Sequence, residues 1–507
     1  MPDARLPYAF RSVPEAIAWW AVQTPQAPAL LPGDGAPVTY AEFHRRAATL
    51  SGELIRAGTK PGDLIAIDPV PRVDSIVAVV GAMRIGAALP LSPGASEAEL
   101  GGLMGALRPA LCLVGRRDSP AVMAAHTAGV PMLEMAHEGG AADPADMPKN
   151  VVRSSEATAL VLHSSGTTGK PRGIPRTHCN LSSAVPAYVA WVGKDALARV
   201  LLTTPLTFGM GAHGMSATFS AGGAVILPEA VPDAILGAVD RWRPTWGYVA
   251  VALLDAVLTK AEESGVSAPP GMRALSVSGM APSSTLAERV AAVFGAPLLE
   301  GYGSGETGLI AGSSAGRCSP GVLDRVYVDA IATVDAHGAP TAPGTPGEIV
   351  VQGPQVSSAY LGDPEATAQS FVSADTFRTG DIGTLDDDGT LRLAGRIKEI
   401  INRGGEKFAP AEIDATLLTH PAVAEAASFS LPDRRLGEEV AAAVVRRAGT
   451  DITERVLRRY AARRLAPAKV PRRIWFVDVL PRTVTGKVRR GELAKRFGSA
   501  RSVEPAG

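Results

Sequence analysis

The run Ser164-Ser165-Gly166-Thr167-Thr168-Gly169-Lys170-Pro171-Arg172-Gly173 constrains this chain more than any other segment. Before it stands Thr158-Ala159-Leu160-Val161-Leu162, a short apolar, β-branched stretch that reads as a buried strand. A strand emptying into glycines, hydroxyls and two cations is a phosphate cradle. Glycine lets the backbone approach an anion and turn its N–H groups toward it. The hydroxyls donate, and Lys170 and Arg172 neutralise charge. The spacing excludes one familiar solution. A P-loop needs four residues between its glycines and a Ser or Thr directly after the lysine. Here only Thr167 and Thr168 separate Gly166 from Gly169, and Pro171 follows Lys170. Proline has no N–H and disfavours helix at the residue before it, so this loop does not open a helix.

The rest of the chain bounds what surrounds the cradle. At 507 residues, more than one domain is expected. With 46% apolar and 20% charged residues, a large core can form. Fifty basic and fifty acidic residues cancel, which leaves no global field for nucleic acid or an anionic membrane. Cys112, Cys179 and Cys318 form no CxxC pair, which argues against a disulfide framework or zinc site and suits a cytoplasmic, reducing compartment. No signal-peptide core follows Met1, and the most apolar stretch, 75–91, is too interrupted to span a bilayer.

Strand and helix signals alternate, which predicts a parallel α/β sheet. Helices are expected over 40–57, 74–83, 180–192 and 285–294, and strands over 64–67, 199–202, 224–227 and 248–251. From about 320 to 395 the pattern changes to short strands with Gly/Pro turns, a small β-rich subdomain. A boundary is expected at 396/397, giving an N-terminal core of 1–396 and a small α+β domain of 397–507. In the latter, Asp451-Ile452-Thr453-Glu454 reads as a capping box with Asp451 as the cap.

Four further segments carry chemistry. In Glu300-Gly301-Tyr302-Gly303-Ser304-Gly305-Glu306-Thr307-Gly308, an aromatic face can stack on a base, glycines admit a ligand, and a carboxylate can hold Mg²⁺. Thr379-Gly380-Asp381-Ile382-Gly383 precedes Gly395-Arg396-Ile397-Lys398-Glu399. Arg403-Gly404-Gly405-Glu406-Lys407 leaves room for a thin chain. Leu480-Pro481-Arg482-Thr483-Val484-Thr485-Gly486-Lys487 sets a lysine beside a glycine, a mobile point charge suited to developing negative charge.

Together and in this order, these motifs resemble those of the adenylate-forming superfamily: acyl-CoA synthetases, adenylation domains of peptide synthetases and beetle luciferases. The chain is most like a stand-alone acyl-CoA synthetase. The resemblance covers about residues 12–495 and implies a small C-terminal domain that is mobile. It implies that Ser164, Ser165, Gly166, Thr167, Thr168, Gly169 and Lys170 hold ATP phosphates. Tyr302 and Gly303 would meet adenine, as would Gly279, Ala281 and Pro282 of a weaker Gly-x-Ala-Pro match. Glu306 would hold Mg²⁺, Asp381 and Arg396 the ribose, and Lys398 the hinge. Gly404 and Gly405 would line the pantetheine path, and Lys487 would be catalytic. Gly305 stands where the family places a Thr or Ser, and Thr307 is the nearest substitute hydroxyl.

The implied reaction converts a carboxylic acid and ATP to an acyl-adenylate and pyrophosphate, then transfers the acyl group to CoA and releases AMP. CoA is expected because no carrier segment follows Lys487. A carrier-protein thiol, an oxidase of the luciferase kind, and a degenerate nucleotide-binding protein remain alternatives, and the protein would be a monomer or homodimer. The acyl pocket is expected from Phe208, Gly209, Met210, His213 and Val249, with Gly303 nearby. The segment from Phe208 to Ala212 and Val249-Ala250-Val251 carry no acid or base, which suggests an uncharged tail, and their small residues suggest room for a bulky or long one.

Overall fold

The computed structural model describes residues 9–68, 72–135, 154–164, 172–267, 270–279, 282–315, 319–482 and 488–498. The chain divides into two compact units, Met1–Ile331 with Val351–Arg378, and Ala332–Val350 with Thr379–Gly507.

Two mostly parallel sheets build the first unit. The larger has nine strands, with the parallel run Leu298–Ser304, Ala274–Ser278, Trp246–Tyr248, Arg199–Leu202, Ala224–Leu227 and Pro28–Pro32 at its centre. The other has six, ordered Met132–Glu134, Leu111–Val114, Leu64–Ile67, Ala87–Pro90, Thr158–Ser164, Arg172–Thr177. Only its last pair is antiparallel, with Ser164 opposite Arg172. The strands are near-continuous apolar runs because helices cover both faces of such sheets. One of these helices, Tyr40–Arg56, shows how the sequence specifies it. Thr39 caps it by accepting from the Glu42 N–H, and Tyr40, Phe43, Ala47, Leu50 and Leu54 fall on its buried face. Truncating Leu54, fully buried, would cost about 2–5 kcal/mol.

In the second unit, Val423–Asp433 and Gly437–Arg446 form a long antiparallel hairpin, joined by Ile401–Arg403, Glu406–Phe408 and the parallel Arg473–Phe476. The helices Pro410–Leu418 and Glu454–Ala462 close one core over Ile401, Val440 and Val444. The β-rich segment forms a sheet ordered Leu391–Arg396, Thr376–Leu385, Gly347–Gln352, Ala330–Val334, and its chain is shared between the two units.

Three local expectations are corrected. The helix expected over 180–192 is two, His178–Ser183 and Val185–Val192. Pro186 lacks the N–H that a continuous helix would need, so Ala184 becomes the joint. The strand expected over 248–251 ends at Tyr248, and Val251 already begins a helix. The cap near 451 is Thr453, which accepts from the Val456 N–H, not Asp451. Among the described residues, no helix is long and apolar enough to cross a membrane.

Candidate functional site

Ligands of open parallel sheets bind beyond the carboxyl ends of the strands, where connections diverge. In the nine-stranded sheet the register sets Tyr248 beside Leu202 and Ser276, and Ser278 beside Gly301. The carboxyl ends of four neighbouring strands therefore release Thr203–Phe208, Val249, Gly279 and the glycine turn 303–308 on one side of the sheet. Those segments hold Phe208, Val249, Gly279, Gly303, Glu306 and Thr307; Gly209, Met210 and His213 follow Phe208 on the helix Gly209–Ser220, and Tyr302 lies near the end of the strand Leu298–Ser304, so the structure brings these predicted residues to one edge. Pro282 is buried just before the helix Ser284–Phe294. Ser164 ends its strand, while Ser165, Gly166, Thr167, Thr168, Gly169, Lys170 and Ala281 lie outside the described residues. The strands flanking 165–171 pair antiparallel, so a strand follows the loop, as its proline implied.

The turn at Glu306 is held by residues that the motifs did not reveal. Tyr360 donates its hydroxyl to Glu306 Oε1 at 2.9 Å. The Glu306 carbonyl accepts from the Ser357 N–H at 2.7 Å and from Arg176 Nη1. Arg176, fully buried, also donates Nη2 to the Gln355 carbonyl, which clamps the turn to the 353–360 segment. Burial pulls the Arg176 guanidinium down to about 10, with the nearby Glu306 pulling it back up, so it stays charged at neutral pH. Arg172 forms an ion pair with Asp363 at 2.7 Å and lies 5.6 Å from the Tyr360 ring centre. Its charge is thus shared with Asp363, a partner that the loop sequence did not reveal. Alternation in the strand Arg172–Thr177 gave the one available signal: Arg176 falls on the same face as Ile174, which is buried.

The substitution of glycine at 305 has a steric setting. A Cβ at 305 would lie 2.9 Å from Ile174 Cδ1 and 3.6 Å from Leu162 Cδ1. The strand pair flanking the glycine-rich loop occupies the space a larger residue would use. Thr307 does not supply the missing hydroxyl. It is fully buried, accepts from the Ser304 N–H at 3.1 Å and donates to the Gly308 carbonyl at 3.0 Å. It builds the turn instead.

Small residues in the acyl segment prove to be close approaches. A Cβ at Gly211 would lie 2.3 Å from the Pro205 carbonyl, and one at Gly209 would lie 3.0 Å from the Ser304 carbonyl. At Gly301 and Gly312 it would strike the Trp191 indole at 2.7 and 2.5 Å. Gly209 and Gly211 are thus filled from the protein side and do not give the room for a long tail expected from their size, and Gly301 and Gly312, outside that segment, are filled by Trp191. His213, 1% exposed, stacks on Tyr188 with its Nε2 unpartnered. Burial, then the charge of Arg176, pushes it down to about 3, so it is neutral and the segment carries no charge. The buried hydroxyls of Thr204 and Thr207 also lack partners. Buried polar atoms left unsatisfied in this way need a partner from outside the chain, water or a ligand.

Mg²⁺ is bound through one or two carboxylates plus phosphate oxygens. Glu306 fits that pattern, since Tyr360 holds one of its oxygens in place. No group of three metal-ligating residues occurs among the described residues.

In the second unit, Asp381 and Arg396 are opposite each other on paired strands and form an ion pair at 2.8 Å. Lys398 is exposed in the short helical turn Ile397–Glu399. Gly404 and Gly405 are the two central residues of the hairpin joining Ile401–Arg403 to Glu406–Phe408, with φ of +62° and +93°. A two-residue hairpin turn with both φ positive matches strand twist and requires such residues. The turn is exposed, and a Cβ at 405 would meet nothing within 4 Å. Lys487 lies outside the described residues.

Comparison with known proteins agrees with this arrangement. The profile described as AMP-binding enzyme matches residues 17–361, and its C-terminal domain profile matches 412–487. Among curated relatives, the oxalate–CoA ligase of Arabidopsis thaliana is 31% identical over 490 residues, covering 91% of this chain and 93% of that one. The feruloyl-CoA synthase of an Amycolatopsis species is 32% identical over 507 residues, covering 96% and 99%. A crystal structure of ATP-bound MatB from Rhodopseudomonas palustris superposes with a TM-score of 0.86 at 26% identity, covering 96% and 99%. The parallel-strand edge, the glycine turn with its carboxylate and the matched profiles lead to one conclusion: the chain belongs to the AMP-binding enzyme family.

Proposed function

We propose that this AMP-forming acid–CoA ligase acts on a carboxylic acid whose tail is uncharged. The supporting observation is the acyl segment: Phe208, Met210, Ala250 and Val251 are half-buried and apolar, and the one base, His213, is neutral. A second carboxylate or a sulfonate there would lose its hydration, at a cost of several kcal/mol that the buried Arg176, already held by the Glu306 and Gln355 carbonyls, would have to offset.

ATP, Mg²⁺ and CoA are the family's reactants and cofactor. The acid's carboxylate attacks the α-phosphorus, pyrophosphate leaves, and the acyl-adenylate forms. Such transfers depend on positioning and charge neutralisation. Glu306 would hold Mg²⁺, which would supply charge to offset that of the phosphates, and Tyr360 orients Glu306. Tyr302 and Gly279 flank adenine, and Asp381 with Arg396 takes the ribose hydroxyls. Lys487 neutralises charge between carboxylate and α-phosphate. The domain 397–507 then turns about Lys398, Lys487 withdraws, and the Gly404–Gly405 turn borders the path by which the CoA thiol reaches the acyl carbon.

A panel of acids matched in length tests the substrate claim. Benzoate, ferulate and hexanoate should support acid-dependent pyrophosphate release far better than oxalate, malonate or sulfoacetate. Oxalate or sulfoacetate as the best substrate would overturn it.

A further inference from the structure

Residues 483–487 lie outside the described residues, yet both ends of that segment are fastened within the second unit. Arg482 and Val488 form an antiparallel bridge, and the Arg489 N–H donates to the Pro481 carbonyl at 2.8 Å. Arg482 is paired with Glu425 at 2.6 Å. Next comes Arg490, the first residue of the helix Arg490–Gly498. Its guanidinium reaches three elements at once: Asp414 Oδ2 at 2.6 Å, the Ser428 carbonyl at 2.6 Å and Glu399 Oε2 at 3.2 Å.

Fold stability alone accounts for part of this network. Asp414 is buried in the helix Pro410–Leu418 and also accepts from the Ser428 N–H. One guanidinium neutralises one buried carboxylate, and that pair is complete without Glu399. The second carboxylate is surplus to charge balance, is half-exposed, and comes from the residue directly after Lys398. Its effect is geometric. It ties the chain just past the expected hinge to the residue three positions beyond Lys487.

We propose that Arg490 is a positioning residue for Lys487: by holding Glu399, Asp414 and Ser428 together it makes the chain from 399 to the lysine segment turn as one body. A torsion at Lys398 is then delivered to Lys487 rather than lost in the intervening chain. This rests on the reading of Lys487 as catalytic and Lys398 as the hinge.

The test uses the full-length enzyme and separates the half-reactions. Acid-dependent ATP–pyrophosphate exchange reads the first, and acyl-CoA formation from supplied acyl-adenylate and CoA reads the second. Glu399→Gln keeps the Asp414–Arg490 pair and should fold normally. It should lower kcat of exchange about ten- to hundredfold, as loss of catalytic positioning does. KM for ATP and the second half-reaction should stay within about twofold, because neither depends on where Lys487 points. Arg490→Met, which strands Asp414, should show the same split with added thermal instability. A parallel fall of both half-reactions in Glu399→Gln would show a merely structural role and overturn the proposal. So would unchanged exchange in Glu399→Gln while Lys487→Ala abolishes it. Wild-type exchange in Lys487→Ala would instead remove the reading on which the proposal rests, a pattern distinct from the other two.

Discussion

Glycine serves two different ends in the two units. In the turn 300–308 it makes space: a Cβ at Gly303 would sit 2.0 Å from the Gly308 carbonyl oxygen, one backbone against another. In the 404–405 turn a Cβ at Gly405 would meet nothing within 4 Å and one at Gly404 only the end of the Leu436 side chain at 3.3 Å, so what matters is the sign of φ. The same residue type thus responds to different physics. A backbone clash cannot be relieved by a side-chain rotation, whereas a positive φ costs a non-glycine residue about 1–3 kcal/mol. The first unit's glycine turn is set by backbone packed against backbone. The second unit presents an exposed turn whose shape follows from local dihedrals.

The largest expected effect breaks the first half of that contrast. Gly303→Ala should lower the rate of acid-dependent pyrophosphate release about hundredfold or more, since the turn must open to admit the methyl group. A variant near wild-type rate would show that the turn is not held by backbone contact.

Next is a pH effect seated in the same turn. Glu300 is 3% exposed, its carboxylate accepts the Gly321 N–H at 2.9 Å, and burial pushes it up to about 7. Between its unfolded pKa of 4.5 and about 7, the native state binds more protons than the unfolded one. Stability should therefore fall as pH rises across that window, by on the order of 3 kcal/mol in total. Thermal unfolding of Glu300→Gln against pH should lack this slope, and the variant should exceed wild type at pH 8. An identical slope would place the titration elsewhere.

Smaller effects probe the second unit and the outlier at 305. Gly405→Ala should cost about 1 kcal/mol in thermal unfolding, and Gly405→Asn less, because Asn tolerates positive φ. A loss of several kcal/mol at Gly405→Ala would show that close packing, and not the sign of φ, governs that turn. Smallest is Gly305→Ser. Only the flexible end of Ile174 must move, so the cost should stay at or below about 1 kcal/mol, and Ile174→Val should recover it. Failure of that recovery would mean Ile174 is not what disfavours a larger residue at 305.

Much of the fold was legible in the sequence because its signals are local. The helices expected over 40–57 and 285–294 and the strands over 64–67, 199–202 and 224–227 each depend on neighbours a turn away or next along the strand. The site's motifs were legible for the same reason. Its supports were not. Arg176 holds Glu306, and Tyr360 holds its carboxylate, across separations that no spacing encodes. Glycines were misread most easily. Sequence shows that Gly301 has no side chain, but only the structure shows that Trp191 fills the gap. Pro186 was a readable break in the 180–192 helix, outweighed there by apolar periodicity.

The central claim is that this chain joins an acid to CoA through an adenylate. Its most direct test is the stoichiometry of products from ATP, Mg²⁺, CoA and an uncharged acid. The account predicts AMP, pyrophosphate and acyl-CoA in equal amounts, each dependent on the acid. ADP and phosphate as the nucleotide products, or AMP without any thioester, would contradict it.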